Sequence, residues 1–448
     1  MRIALSFVLA LIQDCGLAAA PLPYKAGTAS KVITPTEPLW MAGYGNRDKP
    51  CEKKHHDLWV KALALEDSAG NVVVLLTSDL CGIPKSLSED VSKAVMKETG
   101  LKRAQIMLTC SHTHCGPVVD GNLMDAYPLT PDQPEKIKAY TQKLRGWMIE
   151  TILAALKDRK PAKLSHGTGI ARFAVNRREV TKDGTVINGR NPEGPVDHQV
   201  PVLRVEGEDG KLEAVVFGYA CHNTTMQFFE WCGDYAGFAQ IEIEKKHPGA
   251  LAMFWIGTGG DANPLPRSKI ELCEKYGKEL AAGVEDVLKE EMNPLDAKVT
   301  SRYKEITLDF DKIPGKEKWA AESLSKNHGI RNRALRFLKT LDDGGTIPTT
   351  YQGYPVQVWK FGDELTWVAL GGEVVIDYNT RLKKDLGQGR PLWITAYANN
   401  VMAYIPSERV LKEGGYEGDS SQVPYGMPAK WAPGIEERII KAVLDSSK

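Results

Sequence analysis

Short apolar runs, each closed by a polar cluster and followed by an amphipathic stretch, recur along the chain. Strands that feed helices in this way predict βαβ units. The first unit runs from Val72–Leu76 into Ser78-Asp79, then into a helix expected to open at Ser86, with Glu89 at capping-box spacing, and to stop at Gly100. Gln105–Thr109 is the next strand, ending in Ser111-His112-Thr113-His114-Cys115-Gly116-Pro117, where Gly-Pro breaks regular structure. Gln199–Val205 and Ala214–Ala220 flank the turn Gly207–Gly210 and read as a hairpin whose second strand ends at Cys221-His222-Asn223. A helix over Tyr235–His247 leads to the strand Leu251–Ile256, which runs out at Gly257–Pro264. Leu365–Leu370 ends at Gly371-Gly372-Glu373, and Leu392–Ala396 continues towards Asn399–Tyr404. The charged stretch Lys316–Asp343, with Trp319, Leu324, Leu335 and Leu338 among its apolar positions, predicts a helical surface insertion with a solvated face.

The fold class expected from this order is α/β (mixed α+β), a mixed sheet core with βαβ units flanked by helices. In open α/β sheets ligands bind beyond the carboxyl ends of strands, so these polar strand ends are expected to converge on one site, where a metal would sit. Neither a repeat of solenoid period nor a Pro- or Gly/Ser-rich linker divides the chain, and one catalytic unit over 21–448 is expected.

Composition narrows the class. The 448 residues are 42% hydrophobic and 25% charged, which is globular rather than disordered. Lys plus Arg and Asp plus Glu balance at 57 each, so no overall basic field draws the chain to nucleic acid or an anionic membrane. Residues 1–20 carry Arg2, an apolar run over Ile3–Ile12 and Ala18-Ala19-Ala20, which predicts a signal peptide cleaved near Ala20 and a secreted or periplasmic protein. That run is shorter than the roughly 20 residues of a membrane span, and no transmembrane segment is expected. Asp14 before Cys15 makes a poor lipobox. Cleavage would leave seven of the eight cysteines, at least one unpaired within a monomer, and their spacing leaves any pairing open, Cys221 with Cys232 included.

The candidate chemistry starts at His112 and His114, which an extended segment would present on one face as a two-nitrogen metal grip. His222 stands at another strand end. Around them, GTASKVITP (Gly27–Pro35), Met41-Ala42-Gly43-Tyr44-Gly45, HDLWVKALAL (His56–Leu65), SHTHCGP (Ser111–Pro117), Asp234-Tyr235-Ala236-Gly237 and Gly260-Asp261-Ala262-Asn263-Pro264 resemble the neutral/alkaline non-lysosomal ceramidase family. The resemblance spans roughly Gly27–Gly418. It implies hydrolysis of an N-acyl bond at one catalytic zinc held by His112, His222, Glu373 and Tyr404. Val401 stands where that family often carries another Tyr, which leaves Tyr404 as the candidate. His114, facing the same way as His112, is placed for acid/base work. Arg177, in Val175-Asn176-Arg177-Arg178, resembles an Asn-Arg of the family that contacts substrate.

Two departures from the family pattern change the expectation. Asn263 replaces a Ser; an amide cannot be an acyl-accepting nucleophile, although its NH2 could donate to an oxyanion, so a metal-water route is expected over an acyl-enzyme. The chain also ends soon after Trp431-Ala432-Pro433, without room for the C-terminal immunoglobulin-like domain of larger ceramidases, and the substrate expected is a small-molecule or lipid-like N-acyl compound. His56, Asp57, Asp79 and Asp261 are expected to support the site, the carboxylates by orienting ligand imidazoles. His166, His198, His247 and His328 lack a companion motif. Two alternatives stay open: a metal-dependent hydrolase of an ester or modified sugar, and a catalytically silent binding protein on the same fold.

Overall fold

The computed structural model describes residues 22–387 and 389–448, so the expected signal peptide lies outside the described residues. The largest sheet contains β1 (Tyr24–Val32), β3 (Trp59–Asp67), β4 (Val72–Ser78), β5 (Ile106–Cys110), β6 (Lys160–Ile170), β9 (Gln199–Gly207), β10 (Leu212–Tyr219) and β12 (Leu251–Ile256). Their order is β12-β10-β9-β6-β1-β3-β4-β5, with β14 (Asn293–Leu295) paired to β6. A second sheet places β15 (Val299–Asp309), β16 (Thr350–Phe361), β17 (Leu365–Leu370) and β19 (Leu392–Thr395) side by side. Short sheets join β2 (Lys53–Lys54) to β11 (Glu230–Trp231), β7 (Ala174–Val180) to β8 (Val186–Asn191) and β13 (Ala262–Pro264), and β18 (Glu373–Val374) to β20 (Tyr404–Ile405).

The two larger sheets stack. Leu63, Leu65, Leu75 and Trp255 of one meet Trp367 and Trp393 of the other in a shared core. The alternate positions Val60, Ala62, Ala64 and Leu76 belong instead to the core under helices α1 (Lys85–Thr99), α2 (Gln133–Lys157), α3 (Asp234–Lys246) and α4 (Ile270–Lys289). The outer face of the second sheet is covered by the C-terminal helix Ile435–Ser447. Both faces of the central strands are therefore apolar, which is why they read as continuous runs rather than as an alternation. The mixed α/β class expected from the sequence is the one observed. Three parallel pairs, β4 with β5, β10 with β12 and β17 with β19, each enclose a helix, the last being α7 (Ile376–Leu382). Among the described residues no helix is long and apolar enough to cross a membrane.

Two local expectations need correction. The first helix opens at Lys85, one residue early, because Pro84 is already extended at φ −70 and ψ 157. Ser86 thus falls inside the first turn, no side chain caps it, and Glu89 pairs with Lys85 and Lys93 at 2.6 and 2.8 Å. The stretch Lys316–Asp343 divides into α5 (Lys316–Glu322) and α6 (His328–Asp342), with Asn327 capping α6 through the Ile330 amide. Their small core is Trp319, Ala334 and Phe337, whereas Leu324 is 85% and Leu335 49% exposed. All seven described cysteines are buried free thiols, Cys221 and Cys232 included.

Candidate active site

The ends of the parallel strands carry the polar residues to one place. Beyond β5, His112 takes a left-handed φ of 60° that turns the chain; the rings of His112 and His114 meet edge to face at 4.7 Å. Beyond β10, the His222 amide donates to the Ala262 carbonyl and ties that strand end to β13. Glu373 opens β18 and Tyr404 opens β20, and the two face each other in register. All five side chains are buried.

Backbone carbonyls set the tautomers. Nδ1–H of His112 donates to the Cys81 carbonyl and Nδ1–H of His222 to that of Gly259 at 2.6 Å, leaving both Nε2 atoms bare. Those two atoms approach the same oxygen of Glu373, at 3.2 and 2.9 Å, and the Tyr404 hydroxyl lies 3.0 Å from Nε2 of His222. Tyr425 donates to the other Glu373 oxygen, and Tyr397 donates to Oε2 at 3.4 Å beside the imidazoles. Two bare imidazole nitrogens around a buried carboxylate need a proton or a cation between them. The donor set fits a divalent ion that takes nitrogen and oxygen ligands.

Electrostatics agree with this geometry. Burial opposes charge on His112, yet the Glu373 carboxylate and Cys81 push it up to about 10. Burial likewise opposes ionisation of Glu373, but His112 and His222 hold it well below the usual carboxylate range. Burial and the Arg177 guanidinium bring His222 down to about 4. Burial, with His112 and His222 beside it, drives His114 well below its ordinary value and keeps it neutral. Its Nε2 stands 3.1 Å from that of His112, and its Nδ1 has no partner among the described residues. Gly43 lets the chain pass this ring, since a Cβ there would lie 2.4 Å from it.

Arg177 and Asn263 lie behind the cavity wall rather than on it. Arg177 bonds Glu417 at 2.7 Å, Tyr404 at 3.0 Å and His222 at 3.3 Å, and so steers two of the converging side chains. Asn263 Oδ1 accepts from Thr224 and Arg177 at 3.2 and 3.4 Å. A flipped amide would face donor to donor, so its NH2 points away from the guanidinium. Asp79 accepts from the Trp59 amide, and Asp261 accepts from the amides of Ile376 and Asn176, so the carbonyls of Cys81 and Gly259 do the orienting assigned to these carboxylates. His56 bonds the Asp57 carbonyl and the Gly233 amide, and Asp57 takes bonds from Thr34 and Lys54. These four support the surrounding loops. Tyr425 and Cys81 escaped the sequence reading because no motif marks them.

A cavity of 610 Å³ opens onto His112, His114, Glu373 and Tyr404. Its other walls include Leu123, Tyr127, His328, Ile330, Val423 and Tyr425. The first turn of α6 thus forms part of the site, which the reading of a solvated surface insertion missed.

Comparison with known proteins adds three findings. A family profile described as "Neutral/alkaline non-lysosomal ceramidase, N-terminal" matches residues 24–307. Among solved structures, the neutral ceramidase from Pseudomonas aeruginosa is similar with a TM-score of 0.74 at 18% identity, covering 96% of this chain and 74% of that one. A ceramidase complexed with C2 is similar with a TM-score of 0.74 at 17% identity, over 95% of this chain and 75% of that one. At these identities the likeness is one of fold. No curated protein sequence matches.

Proposed function

The chain belongs to the neutral/alkaline non-lysosomal ceramidase family, and on that premise we propose that this ceramidase-like hydrolase cleaves an N-acyl bond with one zinc ion held by His112, His222, Glu373 and Tyr404. The observation that carries the reading is the convergence of two bare Nε2 atoms on one oxygen of Glu373. When bound, zinc would polarise the amide carbonyl and lower the pKa of water towards about 7. His114, buried beside His112, is the side chain placed to take a proton from the attacking water and return it to the leaving amine. Arg177 keeps Tyr404 and His222 in place, and Glu417 neutralises its charge. Asn263, turned towards Arg177, offers no nucleophile, which favours direct attack by water over an acyl-enzyme. The mature chain works as one catalytic unit, exported after loss of its leader.

Purified protein is expected to hydrolyse short N-acyl amines, and His114→Ala to lower kcat by about 10²- to 10⁴-fold with metal retained. Turnover of esters alone would move the linkage, and turnover of N-acyl sugars alone would keep the linkage and change the substrate class. A metal-bearing protein that cleaves none of them would overturn the proposal.

A further inference from the structure

One cavity-lining donor has no role in the chemistry above. His328 opens α6, and Arg331 Nη2 donates to its Nδ1 at 2.7 Å. A guanidinium has no acceptor, so Nδ1 must accept and the ring proton resides on Nε2. That N–H has no partner among the described residues, although His328 lines the same cavity as His112 and Glu373. Among the cavity's other polar groups, Tyr127 accepts from the Gly43 amide and Tyr425 donates to Glu373. Glu373, the sole carboxylate of the cavity lining, is taken by His112, His222 and Tyr425.

The donor is also firmly placed. Asn332 Nδ2 bonds the Asp125 carbonyl at 3.1 Å, while Arg336 reaches the Asp125 carboxylate and the Gly426 carbonyl, both at 2.6 Å. α6 is thereby fastened to the chain on two sides of the cavity mouth, at 123–127 and 420–427. A donor held by a helix that carries none of the proposed zinc ligands recognises a part of the substrate that does not react.

We infer that His328 is a specificity-determining residue, and that the preferred substrate is an N-acyl compound bearing an oxygen acceptor, carboxylate or hydroxyl, at a distance from the scissile amide. The inference rests on the hydrolase reading for the identity of that amide. A substrate with only alkyl surface there would strip water from the His328 N–H and return nothing.

The test uses four amides: N-decanoylglycine, N-decanoylethanolamine, N-decanoylpropylamine, and the monopropylamide of sebacic acid, which carries its acceptor on the acyl side. KM is measured for wild type, His328→Phe and His328→Gln, with melting temperature as the folding control. The Phe variant is expected to raise KM about fivefold for the oxygen-bearing amides and to leave the propylamide within about twofold. Gln, whose amide donates, is expected to restore most of the loss. The larger effect among the oxygen-bearing arms identifies carboxylate or hydroxyl as the favoured acceptor. An equal change across all four amides, or none, would overturn the inference. Dissociation constants of the same amides, taken by calorimetry on chelator-treated protein, separate the two claims. The same ranking without any turnover would retain the subsite and sink the hydrolase reading, whereas turnover without the ranking would do the reverse.

Discussion

The ring of His222 stacks on that of Tyr404, 12° from parallel, with Nε2 and the phenol oxygen 3.0 Å apart. The two residues lie 182 positions apart in the chain. The stack forms where the segment just beyond β10 meets the first residue of β20, and it orients the phenol oxygen towards the atoms around Glu373. Tyr404→Phe keeps the stack and removes only the oxygen. Zinc affinity is expected to fall by about 10- to 100-fold, the range seen when groups around a metal are removed. Competition with a chromophoric chelator measures it, and an unchanged affinity would take Tyr404 out of the ligand set.

Gly43 passes so close to His114 that a methyl group cannot fit, and its φ of +96° already disfavours any other residue. Gly43→Ala is therefore expected to displace the His114 ring and lower kcat by about 100-fold, the usual penalty for an ångström of misplacement. Metal content should be unchanged, since none of the four proposed ligands moves.

Arg177 and Glu417 form an ion pair at 2.7 Å with both partners buried. Arg178 keeps a second ion pair to Glu417 at 2.7 Å, so Arg177→Ala is expected to cost less in urea unfolding than the about 3–5 kcal/mol of a buried charge stripped of every partner. In the double variant with Glu417→Gln the loss should be clearly less than the sum of the single losses. Additive losses would mean that the pair is uncoupled.

Burial, together with the charges of Glu417 and Asp377, pushes the Asp261 carboxyl up to about 7, against the Ile376 amide and Arg177. A raised acid holds its proton in the folded state after the unfolded chain has released it, so stability falls as pH rises from the ordinary value near 4 towards 7. Wild type should lose stability relative to Asp261→Asn through that window. Parallel stability curves would contradict the assignment.

Much of this site was legible in the sequence because strand ends leave a local mark. Apolar runs that stop at Ser111–Pro117, at Cys221-His222-Asn223 and at Gly371-Gly372-Glu373 announce the end of a strand and the side chains placed there. What was not legible depends on contacts between distant segments. The carbonyls of Cys81 and Gly259 fix the imidazoles, and a backbone acceptor carries no residue signature. Tyr425 reaches Glu373 across 52 positions with no periodicity to announce it. α6 looked like a solvated helix because its charges dominate the pattern, and only the packing of Asp125 against Asn332 and Arg336 turns its first turn into a cavity wall.

The most direct test of the central claim is the metal content of the purified protein, read by elemental mass spectrometry for wild type, His112→Ala and His222→Ala. The site predicts one equivalent of zinc in wild type and its loss in both variants, each still folded. No tightly held metal in a folded wild type that has met no chelator, or full zinc in either variant, would contradict it.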